Sequence, residues 1–238
     1  MSEPSNVVLV TGANGALGSA VVERCALDSG RVIALFRSKT GEVQLEQVSD
    51  HVIHVHASTS DAAALTSALE KAEAKLGDIS GAVLTAGAWR GGHSFHELEA
   101  AADFRAVMDA NLEVTNVALR AVLPGLVQRQ RGSVVLIGSR SGARPYSAPG
   151  DAAYAAAKAA LTALAQAIAA EVLSYGVRVN LVLPSTIDTE ANREAMPDAD
   201  RSRWVTTDSL ADVIQFLLSE RARDVSGAAI PVYGRASV

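Results

Sequence analysis

The amino-acid sequence predicts an α/β fold in which a doubly wound parallel sheet of about seven strands carries helices on both faces. Two observations lead to this prediction. Short β-branched runs alternate with longer helical patterns along the chain, the order that gives parallel strands joined by right-handed crossovers. Runs such as Val134–Ile137 are apolar without interruption, as strands covered on both faces are.

The same patterns place the individual elements in order. Strands are predicted near residues 7–11, 32–36, 52–56, 81–85, 132–137, 177–183 and 228–232. Helices are predicted near residues 16–28, 61–76, 98–129, 151–174 and 209–219. Because no Pro/Ser-rich linker and no internal repeat interrupts this order, residues 1–238 are predicted to form one domain.

Composition excludes several classes of protein. The net charge is −5 and no basic run is present, which argues against a nucleic-acid partner. The polar start lacks a secretory signal, and the apolar segment 159–170 is too short and alanine-rich to span a bilayer. The single cysteine, Cys25, rules out an internal disulfide and fits a reducing compartment. We therefore expect a cytoplasmic protein with a small-molecule substrate and no membrane partner.

A glycine-rich turn, TGANGALG, follows the first predicted strand directly. Gly12 suits a tight turn, Gly15 the close approach of a pyrophosphate, and Gly18 close packing of helix on strand. The following helix N-terminus offers free N–H groups to phosphates, so we include Asn14, Ala16 and Leu17 in the predicted cradle. The spacing Gly-x-x-Gly-x-x-Gly departs from the usual dinucleotide fingerprint, and a glycine-rich connection without a ligand is the alternative.

The end of the second predicted strand bears on the choice of dinucleotide. An NAD site would place an acid there to bind the ribose 2′-hydroxyl, but the sequence reads Ala34-Leu35-Phe36-Arg37-Ser38. Arg37 could instead pair with a 2′-phosphate. The prediction is NADP(H) in preference to NAD(H), with an ordinary surface arginine as the alternative.

Tyr154 and Lys158 lie one turn apart on a predicted helix and so share a face. A phenol has a pKa near 10, and a neighbouring ammonium lowers it, which makes the group useful in proton transfer. Ser139 and Ser141 follow the fifth predicted strand, and either hydroxyl could donate to a substrate carbonyl. The alternatives are a chance pair on a solvated helix and serines that bond their own loop.

With these features the sequence resembles the short-chain dehydrogenase/reductase family over nearly its whole length. The motifs that carry the resemblance are the glycine turn, Thr85-Ala86-Gly87, Asn111 in DANLEVT, the serine after the strand, and the Tyr154/Lys158 pair. VRVNLVLP at 177–184 and the terminal pattern DVIQFLLSE…VSGAAIPV add support. The resemblance implies a single-domain Rossmann fold and hydride transfer between a nicotinamide cofactor and a small carbonyl/alcohol or imine substrate.

The resemblance also implies a role for each matching residue. Tyr154 would be the acid/base, and Lys158 would lower its pKa and hold the nicotinamide ribose. Ser139 would orient the carbonyl, and Asn111 would keep a water in the proton relay. Ser141 retains the family's thirteen-residue spacing to the tyrosine and stays open as the alternative, although Ser139 matches the strand better.

Further cofactor contacts follow from the resemblance. Ser58 stands where an acid often meets the adenine. The remaining predicted contacts are Ala86, Gly87, Tyr154, Lys158, Pro184 and Ile187. Departures from the family pattern are the loss of its asparagines at Leu84 and Thr85 and the replacement of its Pro-Gly by Pro184-Ser185.

A narrower likeness leads to a second candidate function. GALGS at 15–19, AGAWRGG at 86–92, residues 187–204 and the final YGRA are similar to quinonoid dihydropteridine reductases. Against it, that enzyme has an acid where Arg37 stands and lacks the serine kept here. A non-catalytic dinucleotide-sensing protein is a third reading, which would predict loss of Tyr154 or Lys158.

Other features yield weaker predictions. Residues 187–208 match the position of a substrate-covering lid, and Trp89 would stack on a flat substrate or cover the edge of the core. His54 and His56 share a strand face but lack a third ligand nearby, so no metal site is predicted. The resemblance and the alanine-rich face at 154–170 predict a homodimer or homotetramer.

Overall fold

The central feature of the computed structural model, which describes residues 6–27, 30–37, 43–97 and 104–236, is an eight-stranded sheet. Its order is β10-β7-β6-β5-β1-β2-β4-β3, and every neighbouring pair is parallel except β3 and β4. The strands are β1 (Val7–Thr11), β2 (Arg31–Arg37), β3 (Gln44–Gln47), β4 (Val52–Ala57), β5 (Ile79–Leu84), β6 (Gly132–Ile137), β7 (Val177–Pro184) and β10 (Ala229–Val232). A separate parallel pair is formed by β8 (Ile187–Asp188) and β9 (Val205–Thr206).

Helices cover both faces of the large sheet. They are α1 (Ala16–Leu27), α2 (Ala62–Leu76), α3 (Val114–Gln128), α4 (Arg140–Ala143), α5 (Ala152–Val172), α6 (Glu190–Ala195) and α7 (Thr207–Leu218). Alternate residues of β1 enter different cores: Val7 and Leu9 join α2, α3 and α5, whereas Val8 and Val10 join α1 and α7. The predicted doubly wound α/β sheet is therefore confirmed.

The structure adds elements that the sequence patterns did not predict. Strand β3 was missed because it is polar and mostly exposed, with Leu45 as its one apolar residue, so it carries no apolar run. The predicted helix over 98–129 is helical from residue 104, and a π-helical turn at Asp109–Glu113 precedes α3. Residues 98–103 of that prediction, and Asp28 and Ser38 of two others, lie outside the described residues.

Strand β1 marks the point where the order of the sheet reverses, because β2 pairs with one edge of it and β5 with the other. Crevices for ligands open at such points, beyond the carboxyl ends of the strands. The hydroxyl of Thr85 donates to the carbonyl oxygen of Thr11, and the amide of Ala86 donates to the Thr11 hydroxyl at 3.2 Å. These bonds hold the ends of β1 and β5 together.

Among the described residues, one helical segment, Ala152–Tyr175, is long and apolar enough to cross a membrane by length and composition. It is longer than the segment 159–170 considered in the sequence. About 33% of its most apolar stretch is buried, and a helix in the core of a soluble protein can have the same length and composition.

Candidate active site

The glycine turn after β1 is shaped by two contacts that no side chain could accommodate. Gly12 has a φ of +62°, and a Cβ there would lie 3.0 Å from the backbone of Ala86. A Cβ on Gly18 would lie 2.2 Å from the carbonyl oxygen of Gly12, so α1 packs directly on the turn. Gly15 is exposed, and its Cβ would meet only the Gly12 carbonyl, at 3.3 Å.

The start of α1 divides the predicted cradle into exposed and buried residues. Asn14, Gly15 and Ala16 are exposed, whereas Leu17 and Gly18 are buried. The side chain of Leu17 belongs to the apolar core between the sheet and α1. Leu17 can therefore meet a ligand only through its backbone.

Two predicted cofactor residues lie at the carboxyl ends of the neighbouring strands β2 and β4. One is predicted to distinguish NADP(H) from NAD(H), and the other to contact the adenine. Arg37 ends β2 and is exposed. Ser58 follows β4, where its hydroxyl lies 3.0 Å from that of Ser60 and accepts from the Ser60 amide. This turn leads into α2, whose N-terminus is capped by Asp61.

On the other side of β1, Gly87 lies close to two of the predicted catalytic side chains. A Cβ on Gly87 would lie 2.8 Å from Oδ1 of Asn111 and 3.4 Å from Nζ of Lys158. Pro184, the last residue of β7, is buried, and Ile187 in β8 is half-buried against the core that includes α1 and α7. Gly87 thus faces Asn111 and Lys158 across a gap that a side chain at this position would fill.

Tyr154 and Lys158 occupy adjacent turns of α5, as the sequence predicts, with Nζ of Lys158 5.6 Å from the centroid of the Tyr154 ring. Lys158 is buried and donates to the carbonyl oxygen of Ile137 at 2.9 Å. Burial lowers the pKa of Lys158 to about 8, because desolvation penalises the ammonium. The lysine still carries its charge at neutral pH.

The pKa of Tyr154 moves in the direction opposite to the one predicted from the sequence. Burial raises it, the hydrogen bond with the Ser139 side chain opposes that rise, and the charge of Asp151 adds to it. Desolvation of the phenolate outweighs the hydrogen bond with Ser139, so the net shift is upwards, and the lowering of this pKa by Lys158 stays a prediction. The phenol is held in its protonated form at neutral pH.

The two candidate serines have different partners. Ser139 is buried at the end of β6, where its side chain caps α4 by accepting from the Ser141 amide at 3.1 Å and also bonds with Tyr154. The Ser141 hydroxyl instead donates to Oδ2 of Asp151 at 3.2 Å. The Ser139 side chain thus bonds with the phenol, whereas the Ser141 hydroxyl bonds with Asp151.

Asn111 lies at the centre of the π-helical turn and is fully buried. Its Nδ2 donates to the carbonyl oxygens of Ala88 at 2.7 Å and Val107 at 2.9 Å. Its Oδ1 is buried without a hydrogen-bond partner among the described residues. A π turn re-aims a side chain within a helix and often marks a functional site, and here it leaves one unused acceptor beside Gly87.

Asp151 is a functional candidate that the sequence reasoning missed. Its carboxylate accepts from Nε1 of Trp89 at 3.0 Å and from the Ser141 hydroxyl, and its charge acts on Tyr154. Trp89 is 58% exposed, so it does not cover the core. The only signal in the sequence was an acid three residues before the tyrosine, which reads equally well as a helix cap.

The predicted lid-like segment, residues 187–208, contains β8, α6, a turn at Arg201–Arg203, β9 and the first residues of α7. Thr189 caps α6, and Nε of Arg193 lies 2.7 Å from Oδ1 of Asp188. The segment begins three residues after Pro184 and returns where the Val205 amide donates to the Thr186 carbonyl at 3.0 Å. It therefore stands at the carboxyl end of β7.

The histidines at 54 and 56 flank an aromatic ring. Their rings lie 4.8 and 5.0 Å from that of Phe36, centroid to centroid. Across the described ranges, no group of three or more His, Cys, Asp or Glu side chains could hold a metal ion.

These residues fit a nicotinamide dinucleotide. The glycine turn keeps side chains away from the start of α1, which is the arrangement that admits a pyrophosphate. Gly87 leaves space beside Lys158, and Asn111 offers a buried acceptor there. Both regions lie beyond the carboxyl ends of β1 and β5, where the order of the sheet reverses.

Comparison with known proteins agrees with this arrangement. Residues 6–200 match the family described as short chain dehydrogenase. The chain is 32% identical to 2-(S)-hydroxypropyl-CoM dehydrogenase 3 of Xanthobacter autotrophicus, covering 97% of this chain and 96% of that protein.

Two solved structures extend the comparison. An oxidoreductase of the short chain dehydrogenase/reductase family from Burkholderia thailandensis has a TM-score of 0.81 and 32% identity, covering 98% of this chain and 92% of that one. A blue fluorescent protein from a metagenomic library, in complex with NADPH, has a TM-score of 0.79 and 25% identity, covering 98% and 99%. The fold, the site and the shared length together show that the chain belongs to the short-chain dehydrogenase/reductase family of NAD(P)-dependent oxidoreductases.

Proposed function

We propose that this protein reduces a small carbonyl or imine compound with NADPH, and that Tyr154 supplies the proton. The observation that carries the proposal is the half-buried Tyr154 phenol, bonded to the Ser139 side chain and flanked by the Lys158 ammonium. The nicotinamide dinucleotide, when bound, supplies the hydride.

Each side chain has a role in this proposal. Ser139 donates to the substrate oxygen and orients it, while Tyr154 gives it a proton. The raised pKa of Tyr154 keeps that proton in place until it is needed. The Lys158 cation, 5.6 Å from the ring centroid, would stabilise the phenolate that remains. Oδ1 of Asn111 accepts from a water that carries a new proton towards the phenolate.

For the cofactor, we propose that Gly12, Asn14, Gly15, Ala16, Leu17 and Gly18 form the pyrophosphate turn. The nicotinamide end is bordered by Ala86, Gly87, Pro184 and Ile187, and the adenine by Ser58.

The preference for NADPH over NADH rests on exposed Arg37 at the end of β2, a strand without an acid. We expect Arg37→Ala to weaken NADPH binding about tenfold and to leave NADH binding unchanged, as measured by fluorescence titration. An equal loss of affinity for both cofactors would refute this preference.

The catalytic assignment is tested by paired substitutions. Tyr154→Phe should lower kcat about a hundredfold or more while NADPH still protects the protein against heating. Ser139→Ala should lower kcat strongly, and Ser141→Ala, its matched control, only slightly. Full turnover by Tyr154→Phe would show that the proton comes from elsewhere.

A quinonoid pterin is the second candidate substrate, favoured by one observation. The Trp89 indole is exposed after β5 and fixed by Asp151, a setting suited to stacking on a flat ring. A panel of carbonyl compounds and quinonoid dihydropterin, assayed with NADPH, distinguishes the two. Absence of turnover on the pterin would remove this candidate.

We further propose a cytoplasmic homodimer or homotetramer formed from one-domain subunits, with residues 187–208 as a lid. The exposed side of α5 is a stripe of alanines at 156, 159, 163, 167 and 170. A second copy of the chain, rather than lipid, would cover it, because Lys158 on the same helix is buried in the site.

A further inference from the structure

A pocket of about 300 Å³ lies between the end of β6 and the lid-like segment. We call it the arginine pocket, and its lining includes Arg140, Ser185, Thr186, Asp200, Arg203 and Trp204. We propose that the arginine pocket binds an anionic group of the substrate, so that the substrate is a carbonyl compound carrying a carboxylate, sulfonate or phosphate. This inference rests on the proposed reductase function and narrows its substrate class.

The position of the pocket links it to the reaction. Arg140 directly follows Ser139, the residue proposed to orient the carbonyl. Ser185 and Thr186 directly follow Pro184 at the end of β7, the strand paired with β6. Arg203 and Trp204 of the lid-like segment also line the pocket. Because the pocket adjoins the carboxyl ends of β6 and β7, we expect a substrate whose carbonyl lies at Ser139 to reach it.

The Arg140 guanidinium is held in place but not neutralised by its contacts. It lies over the ring of Tyr233, with Cζ 5.9 Å from the ring centroid. Its Nε is buried and has no hydrogen-bond acceptor among the described residues. A buried N–H without an acceptor costs free energy, and an anion in the pocket would satisfy it.

The charge of the lining residues is positive. Arg140 and Arg203 contribute two guanidinium groups, and Asp200 is the one acid among them. Oδ1 of Asp200 already accepts from the amide of Ser202 at 3.1 Å and from its hydroxyl at 2.7 Å, at the start of the Arg201–Arg203 turn. The Ser185 hydroxyl donates to the Tyr233 carbonyl oxygen at 2.8 Å. The lining therefore carries two cations and one anion, and the charge of Arg203 also acts on Asp200.

Two guanidinium groups and a buried N–H that lacks an acceptor in the described part of the chain favour an anionic ligand. A guanidinium presents a planar fork of donors that matches a carboxylate, sulfonate or phosphate. A neutral ester or amide of the same shape would leave the buried donors less well satisfied. The Trp204 indole supplies an apolar surface for the part of the substrate between anion and carbonyl.

The first experiment compares straight-chain oxo acids of increasing length with their methyl esters, using NADPH oxidation as the readout. At the length that spans the site, kcat/KM for the acid should exceed that for the ester by about tenfold or more. The difference should arise in KM and should shrink as salt is added. Equal kcat/KM for acid and ester at every length would overturn the inference.

Variants assign the effect to the pocket. Arg140→Gln and Arg203→Gln should each remove most of the preference for the acid, measured as the ratio of kcat/KM for acid and ester, and Arg140→Lys should retain part of it. Asp200→Asn should act in the opposite direction and strengthen acid binding. Arg120→Gln, an exposed arginine on α3, is the matched control and should change nothing.

Two further outcomes distinguish failure of the anion-binding inference from failure of the proposed reductase function. If Arg140→Gln raises the KM for NADPH and leaves the acid preference intact, the anion is a cofactor phosphate and the inference fails. If wild type turns over neither acids nor esters, the proposed function fails. Calorimetric titration with unreactive saturated carboxylates then still tests the pocket, because Arg140→Gln should abolish their binding, and no binding to wild type would refute it.

Discussion

Asp151 interacts with three parts of the site through one carboxylate, by two hydrogen bonds and by its charge. It fixes Trp89 in the loop after β5, holds Ser141 beyond β6, and acts on Tyr154 one turn along α5. Because its negative charge destabilises the phenolate, it contributes to the raised pKa of Tyr154. We propose that Asp151 is a positioning residue that also keeps the phenol protonated.

Replacing Asp151 tests this proposal. Asp151→Asn removes the charge, so the pKa of Tyr154 should fall and the alkaline limb of the pH profile for reduction should move to lower pH. The measurement is kcat/KM against pH, with Asp50→Asn, an exposed acid outside the site, as control. An unchanged profile together with lost activity would indicate a purely structural role.

Lys158 lowers the stability of the fold below its own pKa. Its pKa falls from 10.5 to about 8 because its ammonium is buried. The folded protein therefore carries the cost of a buried charge below about pH 8, and this cost disappears as pH rises towards 10.5, where the unfolded chain also loses the proton. At about 1.4 kcal/mol for each pKa unit, the effect is on the order of 3 kcal/mol.

The corresponding prediction compares wild type with Lys158→Met by urea unfolding. Between about pH 8 and about pH 10.5, the free energy of unfolding of wild type should rise relative to that of the variant by roughly 3 kcal/mol. Lys158→Met should also lose nearly all reductase activity. A difference in stability that does not depend on pH would contradict the assigned pKa.

At the scale of elements, the glycine turn joins two different requirements. Gly18 is needed for folding because α1 packs on the Gly12 carbonyl, whereas Gly15 is exposed where a phosphate would approach. Gly18 is thus explained by the packing of the helix on the turn. For Gly15, we propose that the reason is the binding of a phosphate.

Alanine substitutions should separate these requirements. Gly18→Ala should lower the free energy of unfolding by about 2–4 kcal/mol, because its Cβ would lie 2.2 Å from a backbone oxygen. Gly15→Ala should change stability by less than about 1 kcal/mol but weaken NADPH binding. Urea unfolding and fluorescence titration measure the two effects. Similar stability losses in both variants would refute the distinction.

At the scale of the whole molecule, α5 connects the site to the proposed subunit interface. Its inner side carries Lys158, and its outer side is the alanine stripe. Small side chains allow two helices to approach closely, so the stripe suits a copy of the same helix. Association would thus be coupled to the helix that holds Tyr154.

A charge in the stripe tests this coupling. Ala163→Glu should convert the oligomer to monomers, since a carboxylate at the centre of an apolar contact would be desolvated without a partner. Light scattering after size-exclusion chromatography measures the mass, and Lys71→Glu, at an exposed position of α2, is the control. A monomeric wild type, or an unaffected oligomer, would refute the proposed interface.

Much of the fold could be predicted because its signals are local. The apolar runs of β1, β6 and β7 reflect strands covered on both faces, and each is visible within a few residues. Strand β3 escaped prediction because an exposed edge needs no apolar pattern. The π turn around Asn111 escaped because one added residue in a helix leaves no compositional mark.

By itself, the sequence determined the α/β class, the glycine turn after β1 and the Tyr154/Lys158 pair, all of which depend on spacings of a few residues. Only the tertiary structure decided that Ser139 rather than Ser141 meets Tyr154, that burial raises the pKa of that phenol, and that Arg140 and Arg203 share a pocket. The physical reason is that desolvation and charge act through space. Their balance is set by residues far apart in the chain, which no local pattern records.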